Sequence, residues 1–318
     1  MNNPEQMKIV TITLNPALDQ TVYVAQFQVG QVNRVYKQRL DPGGKGINVA
    51  KVVGALGNPV SVTGFLGREN SQVFSEYFRK NAIENAFVEV AGAARVNIKI
   101  VDEQSGQVSE INFPGLNCTG ADLEKLEGVI DRLALDHRWF VISGSLPQAA
   151  PEDIYGRLTR LLQRHGAKVF LDSSGTALRE GIRANPNVVK PNLDELSQLI
   201  GRNLVRESEI YKAARDLLGG GIEQVIVTLG AKGAIVADER EMLAVRPPTV
   251  VASSTVGAGD AFVAGYVVGR ARGLSLKDCA CLGTAAATAS VIQPGTQAGS
   301  LTEVEKLLNQ VAVSRVSG

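Results

Sequence analysis

From Cys118 onward, the sequence alternates between short segments rich in valine, isoleucine and phenylalanine and longer segments with helical apolar spacing. Strands are predicted at 139–142, 168–172, 188–190 and 224–229, and helical segments separate them. A strand that is apolar on both faces must be covered on both faces, and a helix between two strands returns the chain to the same edge of a sheet. The pattern therefore predicts an α/β fold in which a mainly parallel sheet is flanked by helices.

Four short segments near the N-terminus differ from this alternation. The pair at 22–24 and 33–39 has few residues that could face a core on two sides, and the segments 97–101 and 108–113 have the spacing of a hairpin. We expect the two pairs to form one small β-sheet that lies outside the main sheet and acts as a lid.

The domain organisation follows from these segments. We expect a single domain over 7–318, into which a lid formed by about 15–42 and 94–115 is inserted. The first six residues are polar, and they are expected to form a disordered tail. Neither an internal repeat nor a low-complexity linker divides the sequence.

Composition argues against several classes of function. The chain has 33 lysines and arginines against 32 aspartates and glutamates, and a net charge of +1 does not favour a nucleic-acid partner. Only two histidines occur, so acid–base chemistry falls to carboxylates and lysines rather than to a histidine triad or a histidine zinc site. Three cysteines, no apolar run of about 18 residues and no signal-peptide pattern favour a cytoplasmic protein without a membrane partner.

A glycine-rich turn at 43–46 leads into a helical segment. Gly43 and Gly44 allow the backbone to approach a ligand closely, and the free N–H groups at the start of the helix attract anions or hydroxyl groups. Lys45 adds a cation, and Asn48 adds a donor and an acceptor. The pattern is not a P-loop, because no serine or threonine follows the lysine. A tight turn before a packed helix remains the alternative.

A second glycine-rich turn begins at Thr255 and leads into the helix predicted at 259–272. The backbone amides of Gly257, Ala258 and Gly259 can hold the charge that develops on a transferring phosphoryl group. The carboxylate of Asp260 can accept the proton of an attacking hydroxyl group. A carboxylate that only caps the helix is the alternative.

The segment Lys190-Pro191-Asn192-Leu193-Asp194-Glu195 follows a predicted strand. Asn192 and Glu195 lie about one helical turn apart and could hold a hydrated Mg²⁺, which prefers oxygen ligands. The alternative is a helix that begins at Asn192 and is stabilised by Glu195.

A further turn connects two predicted strands at 228–233. Thr228, Gly230 and Gly233 could lie along the phosphates of a nucleotide. A simple hairpin turn is the alternative.

Together these motifs resemble those of the PfkB (ribokinase-like) carbohydrate kinases. The segment 43–50 resembles the first family signature, 255–260 resembles the second, and the other two motifs fall between them in the expected order. The resemblance runs from about Lys8 to the last helix. It implies a doubly wound, ribokinase-like α/β fold with a β lid, ATP and Mg²⁺, Asp260 as the base and an anion hole at the amides of Gly257, Ala258 and Gly259. The residues that it implies for ATP are Lys190, Asn192, Thr228, Gly230, Gly233, Thr255, Gly257 and Gly259, and those for the metal are Glu195 and Asn192.

The sugar site is expected on the lid. The segment 13–19 resembles the opening of the phosphosugar branch of this family, which implies that Asp19 binds sugar hydroxyls. Arg95, Asn97 and Lys99 alternate along a predicted strand and therefore share one face. Two cations and an amide on one face suit a phosphate dianion, and the resemblance adds Lys45 to this group. An ordinary exposed strand is the alternative.

Within this branch the sequence most resembles the 1-phosphofructokinase subfamily, which implies conversion of fructose 1-phosphate to fructose 1,6-bisphosphate. Tagatose-6-phosphate kinases and PfkB-type 6-phosphofructokinases share most of the motifs and remain alternatives. A dehydrogenase would need a Gly-x-Gly-x-x-Gly turn after the first strand, where this chain has Asn15-Pro16. A catalytically silent sensor of sugar phosphates is the alternative from another class. The lid edges also suggest a homodimer, in which each lid covers the other.

Overall fold

A computed structural model describes residues 8–316, and the tail predicted at 1–6 lies outside them. The strands are β1 (Ile9–Thr13), β2 (Ala17–Val24), β3 (Lys37–Gly43), β4 (Val60–Gly67), β5 (Glu84–Asn85), β6 (Val88–Val90), β7 (Arg95–Asp102), β8 (Val108–Ile111), β9 (Trp139–Ser143), β10 (Lys168–Asp172), β11 (Val188–Val189), β12 (Gln224–Thr228), β13 (Ala234–Asp238), β14 (Met242–Arg246) and β15 (Ala312–Arg315). The helices are α1 (Lys45–Ala55), α2 (Ser71–Lys80), α3 (Gly120–Leu133), α4 (Ile154–Arg164), α5 (Gly175–Ile182), α6 (Leu193–Ile200), α7 (Glu207–Gly219), α8 (Ala258–Ala271), α9 (Leu276–Ile292) and α10 (Leu301–Leu308). None of the helices among the described residues is long and apolar enough to cross a bilayer.

The large sheet is doubly wound around β1. This strand pairs in parallel with β4 on one side and with β9 on the other, and β10, β11 and β12 continue the parallel order beyond β9. The strands β13, β14 and β15 add an antiparallel edge. Because the chain first builds one side and then returns to build the other, a crevice opens at the carboxyl end of β1, where open α/β sheets bind their ligands.

Helices cover both faces of this sheet, as the alternation of strands and helices predicts. One core contains α1, α2, α8, α9 and α10 and takes Ile226 from β12, while the other contains α3 to α7 and takes Val225 and Val227 from the same strand. Neighbouring residues of a strand point to opposite faces, so a strand buried on both sides is apolar throughout. The burial of all five residues of β1 has the same cause.

The small sheet has the strand order β3-β2-β7-β8 and stands apart from the large one, which confirms the predicted lid. Its register places Asp19 beside Asp41 and Asn97 on one face. The opposite face carries Leu40 and Ile98, which flank Gln20 in the same register. One face of the lid is therefore polar, and the other is mainly apolar.

Several local predictions were wrong. The helix predicted from Pro151 begins at Ile154, because the preceding residues form a turn in which the Ile154 amide donates to the Pro151 carbonyl. The strand predicted at 33–39 runs from Lys37 to Gly43 instead, since pairing with β2 sets its position. Helix α2 was not predicted, although Phe74 and Phe78 form a narrow buried stripe one turn apart.

Helices α8 and α9 pack closely because glycines face each other at their contact. A Cβ atom at Gly265 would lie 2.6 Å from the Leu282 carbonyl oxygen and 2.9 Å from the Gly283 Cα. Both contacts are with backbone, which cannot move away without separating the helices.

We therefore expect Gly265→Ala to lower the free energy of unfolding by about 1–3 kcal/mol through overpacking. Gly128→Ala is a matched control, because Gly128 is also helical but has nothing within 4 Å of its added Cβ. That control should be neutral or stabilise the protein by up to about 1 kcal/mol. Urea unfolding of both variants measures the difference, and equal effects would contradict this account of the α8–α9 contact.

Candidate active site

A cleft of about 850 Å³ opens between the lid and the carboxyl ends of the parallel strands. It brings together almost all of the site residues that the sequence predicts. The predicted residues that line it are Asp19, Gly44, Lys45, Asn48, Arg95, Asn97, Lys99, Lys190, Asn192, Glu195, Thr228, Gly230, Gly233, Thr255, Gly257, Ala258, Gly259 and Asp260. Gly43 lies behind this surface, where a Cβ atom would be 2.7 Å from Asp19 Oδ2, so its lack of a side chain leaves room for that carboxylate.

The lid contributes a buried polar cluster. Asn97 Nδ2 donates to Asp19 Oδ1 at 3.3 Å, and Lys99 Nζ lies 3.5 Å from Asp19 Oδ2. Arg95 is directed instead at the base of the lid, where it donates to the carbonyl oxygens of Phe113 at 3.1 Å and Asn15 at 3.3 Å. Of the three residues predicted on β7, Asn97 and Lys99 therefore contact Asp19, whereas Arg95 binds backbone carbonyls.

Asp260 lies in the first turn of α8, below the lid. The helix begins after Gly257, whose φ of 81° is in the left-handed region that favours glycine. Asp260 is buried, and its Oδ2 accepts a hydrogen bond of 2.9 Å from Asn48 Nδ2. Burial raises the pKa of Asp260 to about 6, although the nearby ammonium group of Lys45 opposes the shift. Asp260 thus lies at a helix N-terminus, and its pKa is well above the ordinary value of an aspartate.

Asp172 is a central residue that the sequence reasoning missed. It is the last residue of β10 and is fully buried, and its Oδ1 lies 3.0 Å from Lys45 Nζ and 3.1 Å from Lys190 Nζ. Burial alone would raise the pKa of Asp172, but the two ammonium groups outweigh burial and hold that pKa below its ordinary value. The sequence feature that could have identified Asp172 is its position at the carboxyl end of a predicted buried strand, where ligands of such sheets bind.

Asn192 and Glu195 form a reciprocal cap at the start of α6. Asn192 Oδ1 accepts from the Glu195 amide at 2.7 Å, and Glu195 Oε2 accepts from the Asn192 amide at 2.8 Å. Glu195 Oε1 is not used in this cap and lies 4.0 Å from Lys45 Nζ. Among residues 8–316, no group of three or more histidine, cysteine, aspartate or glutamate side chains has the arrangement of a metal site. A cation here would therefore need further oxygen ligands from water or substrate.

The other end of the cleft is built from glycines and small residues. The Thr228 amide donates to the Pro191 carbonyl at 3.1 Å, and this hydrogen bond joins the end of β12 to the residue before the Asn192 cap of α6. A short 3₁₀ helix at Gly230–Lys232 follows, and Gly233 has a φ of 93° and leaves no space for a side chain against the Val245 carbonyl. The turn leads into the antiparallel strand β13, so the predicted turn between strands is present and opens onto the cleft.

Comparison with solved structures identifies the fold. The crystal structure of a ribokinase from Thermotoga maritima superposes with a TM-score of 0.79 at 24% identity, covering 95% of this chain and 99% of the ribokinase. Phosphofructokinase-2 from Escherichia coli in complex with substrates and products gives a TM-score of 0.91 at 30% identity, with 95% of this chain and 99% of the other covered. The predicted ribokinase-like fold is therefore confirmed.

Sequence comparison identifies the family. The model of the pfkB family carbohydrate kinases matches residues 12–303. A 1-phosphofructokinase from Vibrio cholerae is 43% identical over 308 residues, which cover 96% of this chain and 96% of that protein. The glycine-rich turn before α1 and the turn before α8 both lie within the matched range. This chain accordingly belongs to the PfkB family of carbohydrate kinases, which transfer a phosphoryl group to a sugar hydroxyl.

Proposed function

We propose that the chain transfers the γ-phosphoryl group of ATP to the free 6-hydroxyl of fructose 1-phosphate, giving fructose 1,6-bisphosphate and ADP. The observation that carries the proposal is the placement of Asp260, a buried carboxylate at a helix N-terminus, in one cleft with a cationic lid face. The likeness to the Vibrio cholerae 1-phosphofructokinase, which extends over nearly the full length of both chains, supports this choice of sugar.

Asp260 acts as the general base in this proposal. The sugar hydroxyl donates a hydrogen bond to the carboxylate, which takes the proton as the oxygen attacks the γ-phosphorus. Asn48 Nδ2 already donates to Asp260 Oδ2, so it holds the carboxylate in one orientation. The other carboxylate oxygen, Oδ1, then remains to receive the proton.

The transferring group meets positive charge from two directions. The amides of Gly257, Ala258 and Gly259 stand at the N-terminus of α8, where the helix dipole favours an anion. Lys45 and Lys190 both lie beside Asp172, and their ammonium groups are the second source of positive charge for the phosphates. We assign Lys45 to the transferring phosphoryl group rather than to the sugar phosphate that the resemblance implied, because it lies among Asp172, Glu195 and Asp260.

The nucleotide would lie along the small residues at the far end of the cleft. Thr228, Gly230, Gly233 and Thr255 line that end, and Asn192 and Lys190 stand between it and Asp260. Glycines there leave backbone N–H groups open to phosphate oxygens.

The sugar phosphate would bind under the lid. Asp19 can accept hydrogen bonds from sugar hydroxyls, while Asn97 and Lys99, which share that carboxylate, can turn to the substrate. Arg95 also lines the cleft, and its guanidinium group, which here donates to the Phe113 and Asn15 carbonyls, would turn from them to the phosphate. Closure of the lid over these groups would exclude water and limit hydrolysis of ATP.

The cleft also fits a hydrated Mg²⁺. Glu195 Oε1 is free of the helix cap and faces the cleft, and Asn192 Oδ1 has a second lone pair. Mg²⁺ keeps several waters and needs few protein ligands when substrate phosphates are present. When bound there, the ion would neutralise charge on the β- and γ-phosphate oxygens.

Replacing Asp260 by asparagine tests the base. The amide keeps the shape of the side chain but cannot accept the proton, so kcat should fall by about 100- to 10,000-fold. ADP release in the presence of fructose 1-phosphate measures the rate, and calorimetric titration with ATP shows whether nucleotide binding is retained. Turnover within a few-fold of the unaltered chain would remove Asp260 from this role.

The pH dependence of the reaction should follow the same residue. The base works only when ionised, and its pKa is raised to about 6, so kcat/KM should decline as the pH falls through about 6 and stay high above it. Thermal unfolding over the same pH range distinguishes titration of the base from acid unfolding. A rate that holds down to about pH 4, near the ordinary pKa of aspartate, would contradict this assignment.

We also propose that two copies of the chain associate through the apolar face of the lid. Leu40 is 46% exposed and Ile111 is 47% exposed, and Ile98 and Ile100 lie half-buried between them. Within the described residues, β3 and β8 are also the unpaired edges of the small sheet. A second lid would cover both the apolar face and the edges.

Light scattering after size exclusion tests the association. The unaltered chain should have the mass of a dimer, and Leu40→Lys with Ile111→Lys should shift it toward the monomer, because a charge on the apolar face cannot be desolvated. Leu135→Lys provides a control, since Leu135 is 77% exposed but lies after α3, away from the lid. A monomeric unaltered chain, or a dimer that survives the double substitution, would contradict the proposal.

A further inference from the structure

Lys51 is a buried lysine below the lid. It lies on α1, one helical turn after Asn48, and only 9% of its surface is exposed. Its Nζ donates to the Pro42 carbonyl at 2.5 Å and to Asn48 Oδ1 at 3.5 Å, and it stands 5.2 Å from the centre of the Tyr77 ring. A lysine is seldom buried to this degree unless its charge is balanced, so its surroundings need an explanation.

Charged groups from several elements face this ammonium. The carboxylates of Asp41 on β3, Asp19 on β2 and Asp260 on α8 favour its charged form, and Arg39 on β3 opposes it. Burial is the larger effect and lowers the pKa of Lys51 to about 8. Lys51 therefore remains mostly charged at neutral pH, in an environment where its charge acts strongly on its neighbours.

The contacts of Lys51 continue to the catalytic carboxylate. The ammonium donates to the oxygen of the Asn48 amide, and the nitrogen of the same amide donates to Asp260 Oδ2 at 2.9 Å. If this amide were reversed, its oxygen would face the Asp260 carboxylate and its NH₂ group would face the ammonium. Both contacts would then be repulsive, so Lys51 and Asp260 together favour the orientation in which Asn48 donates to Asp260.

The same ammonium also holds the end of the lid. Pro42 is the penultimate residue of β3, and proline leaves its carbonyl as the one backbone hydrogen-bonding group at that position. Lys51 thus connects a lid strand to a helix of the main domain at the point where that strand ends. A displacement of β3 would move Lys51, and through the Asn48 amide it would change the hydrogen bond to Asp260.

We propose that Lys51 is a positioning residue of the phosphoryl-transfer site: it fixes the Asn48 amide against Asp260 and ties that contact to the lid strand through Pro42. The proposal rests on the proposed function, in which Asp260 is the base. Lys51 itself does not touch the reacting atoms in this role.

The experiment compares Lys51→Met with the unaltered chain. Methionine has a similar length but carries neither charge nor donor, so the Asn48 amide should lose one of the two contacts that fix its orientation. We expect kcat to fall about tenfold to a hundredfold, as displaced catalytic groups typically cause, while KM for ATP changes little. Without the Lys51 ammonium, and with the Asn48 amide held less firmly as a donor, the ionised form of Asp260 should be less stable. The pKa of Asp260 should therefore rise by about half a unit or more.

The Asp260 pKa is read directly by NMR titration of ¹³C-labelled aspartate carboxyl carbons, with Asp260→Asn used to assign the signal. This readout does not depend on turnover. An unaltered chain without kinase activity would contradict the proposed function, whereas the effect of Lys51→Met on the Asp260 pKa would still test the positioning role.

Two further variants complete the comparison. Lys80→Met removes an exposed lysine from α2 and should change neither kcat nor the titration. Lys51→Arg keeps a buried cation and should recover much of the lost rate and restore the Asp260 pKa. Lys51→Met would overturn the proposal if it lowered the melting temperature alone, with kcat within about twofold and the Asp260 pKa unchanged. Failure of both Lys51 variants to fold would also overturn it, because the fold itself would then require the lysine.

Discussion

The buried carboxylate of Asp172 joins two distant parts of the chain at the carboxyl ends of the parallel strands. It draws in Lys45 from the first turn of α1 and Lys190 from the residue after β11, two parts of the chain that are far apart in sequence. An isolated charge at the depth of Asp172 would cost several kcal/mol, and the almost fully buried Lys190 would face a similar penalty without the carboxylate, whereas the side chain of Lys45 is 35% exposed. Asp172 and Lys190 therefore depend on each other, and in the proposed function their position with Lys45 is where the phosphates bind.

The topology explains why this position became the site. The order of the sheet reverses at β1, and the crevice above its carboxyl end is bordered by the N-termini of α1 and α8. Each helix begins after a glycine in the left-handed region, with φ of 110° at Gly44 and 81° at Gly257, and each directs its N-terminus at that crevice. The lid completes the enclosure with a polar face that contains Asp19, and the opposite face of the lid is mainly apolar.

The fold and most of the cleft could be predicted from the sequence, because each rests on a local pattern. Glycine-rich turns that precede helices, and apolar strands that alternate with them, are visible within short windows. The role of Asp172 depends on its pairing with Lys45, 127 residues away, which no local pattern encodes. The start of α4 and the register of β3 were missed because a turn and a neighbouring strand determine them. Lys51 was overlooked for a related reason, since its partners become apparent only when the lid strand is in place.

ADP release with ATP and a panel of phosphosugars tests most directly whether fructose 1-phosphate is the substrate. Fructose 1-phosphate has its phosphate and its free primary hydroxyl at opposite ends from fructose 6-phosphate and tagatose 6-phosphate. The latter two differ from each other in configuration at C4, so we expect the cleft to align only one of the three sugars well between the lid and Asp260. We expect kcat/KM for fructose 1-phosphate to exceed that for each of the other two sugars by about tenfold or more. A higher value for either of the other sugars, or ADP release that is independent of any phosphosugar, would contradict it.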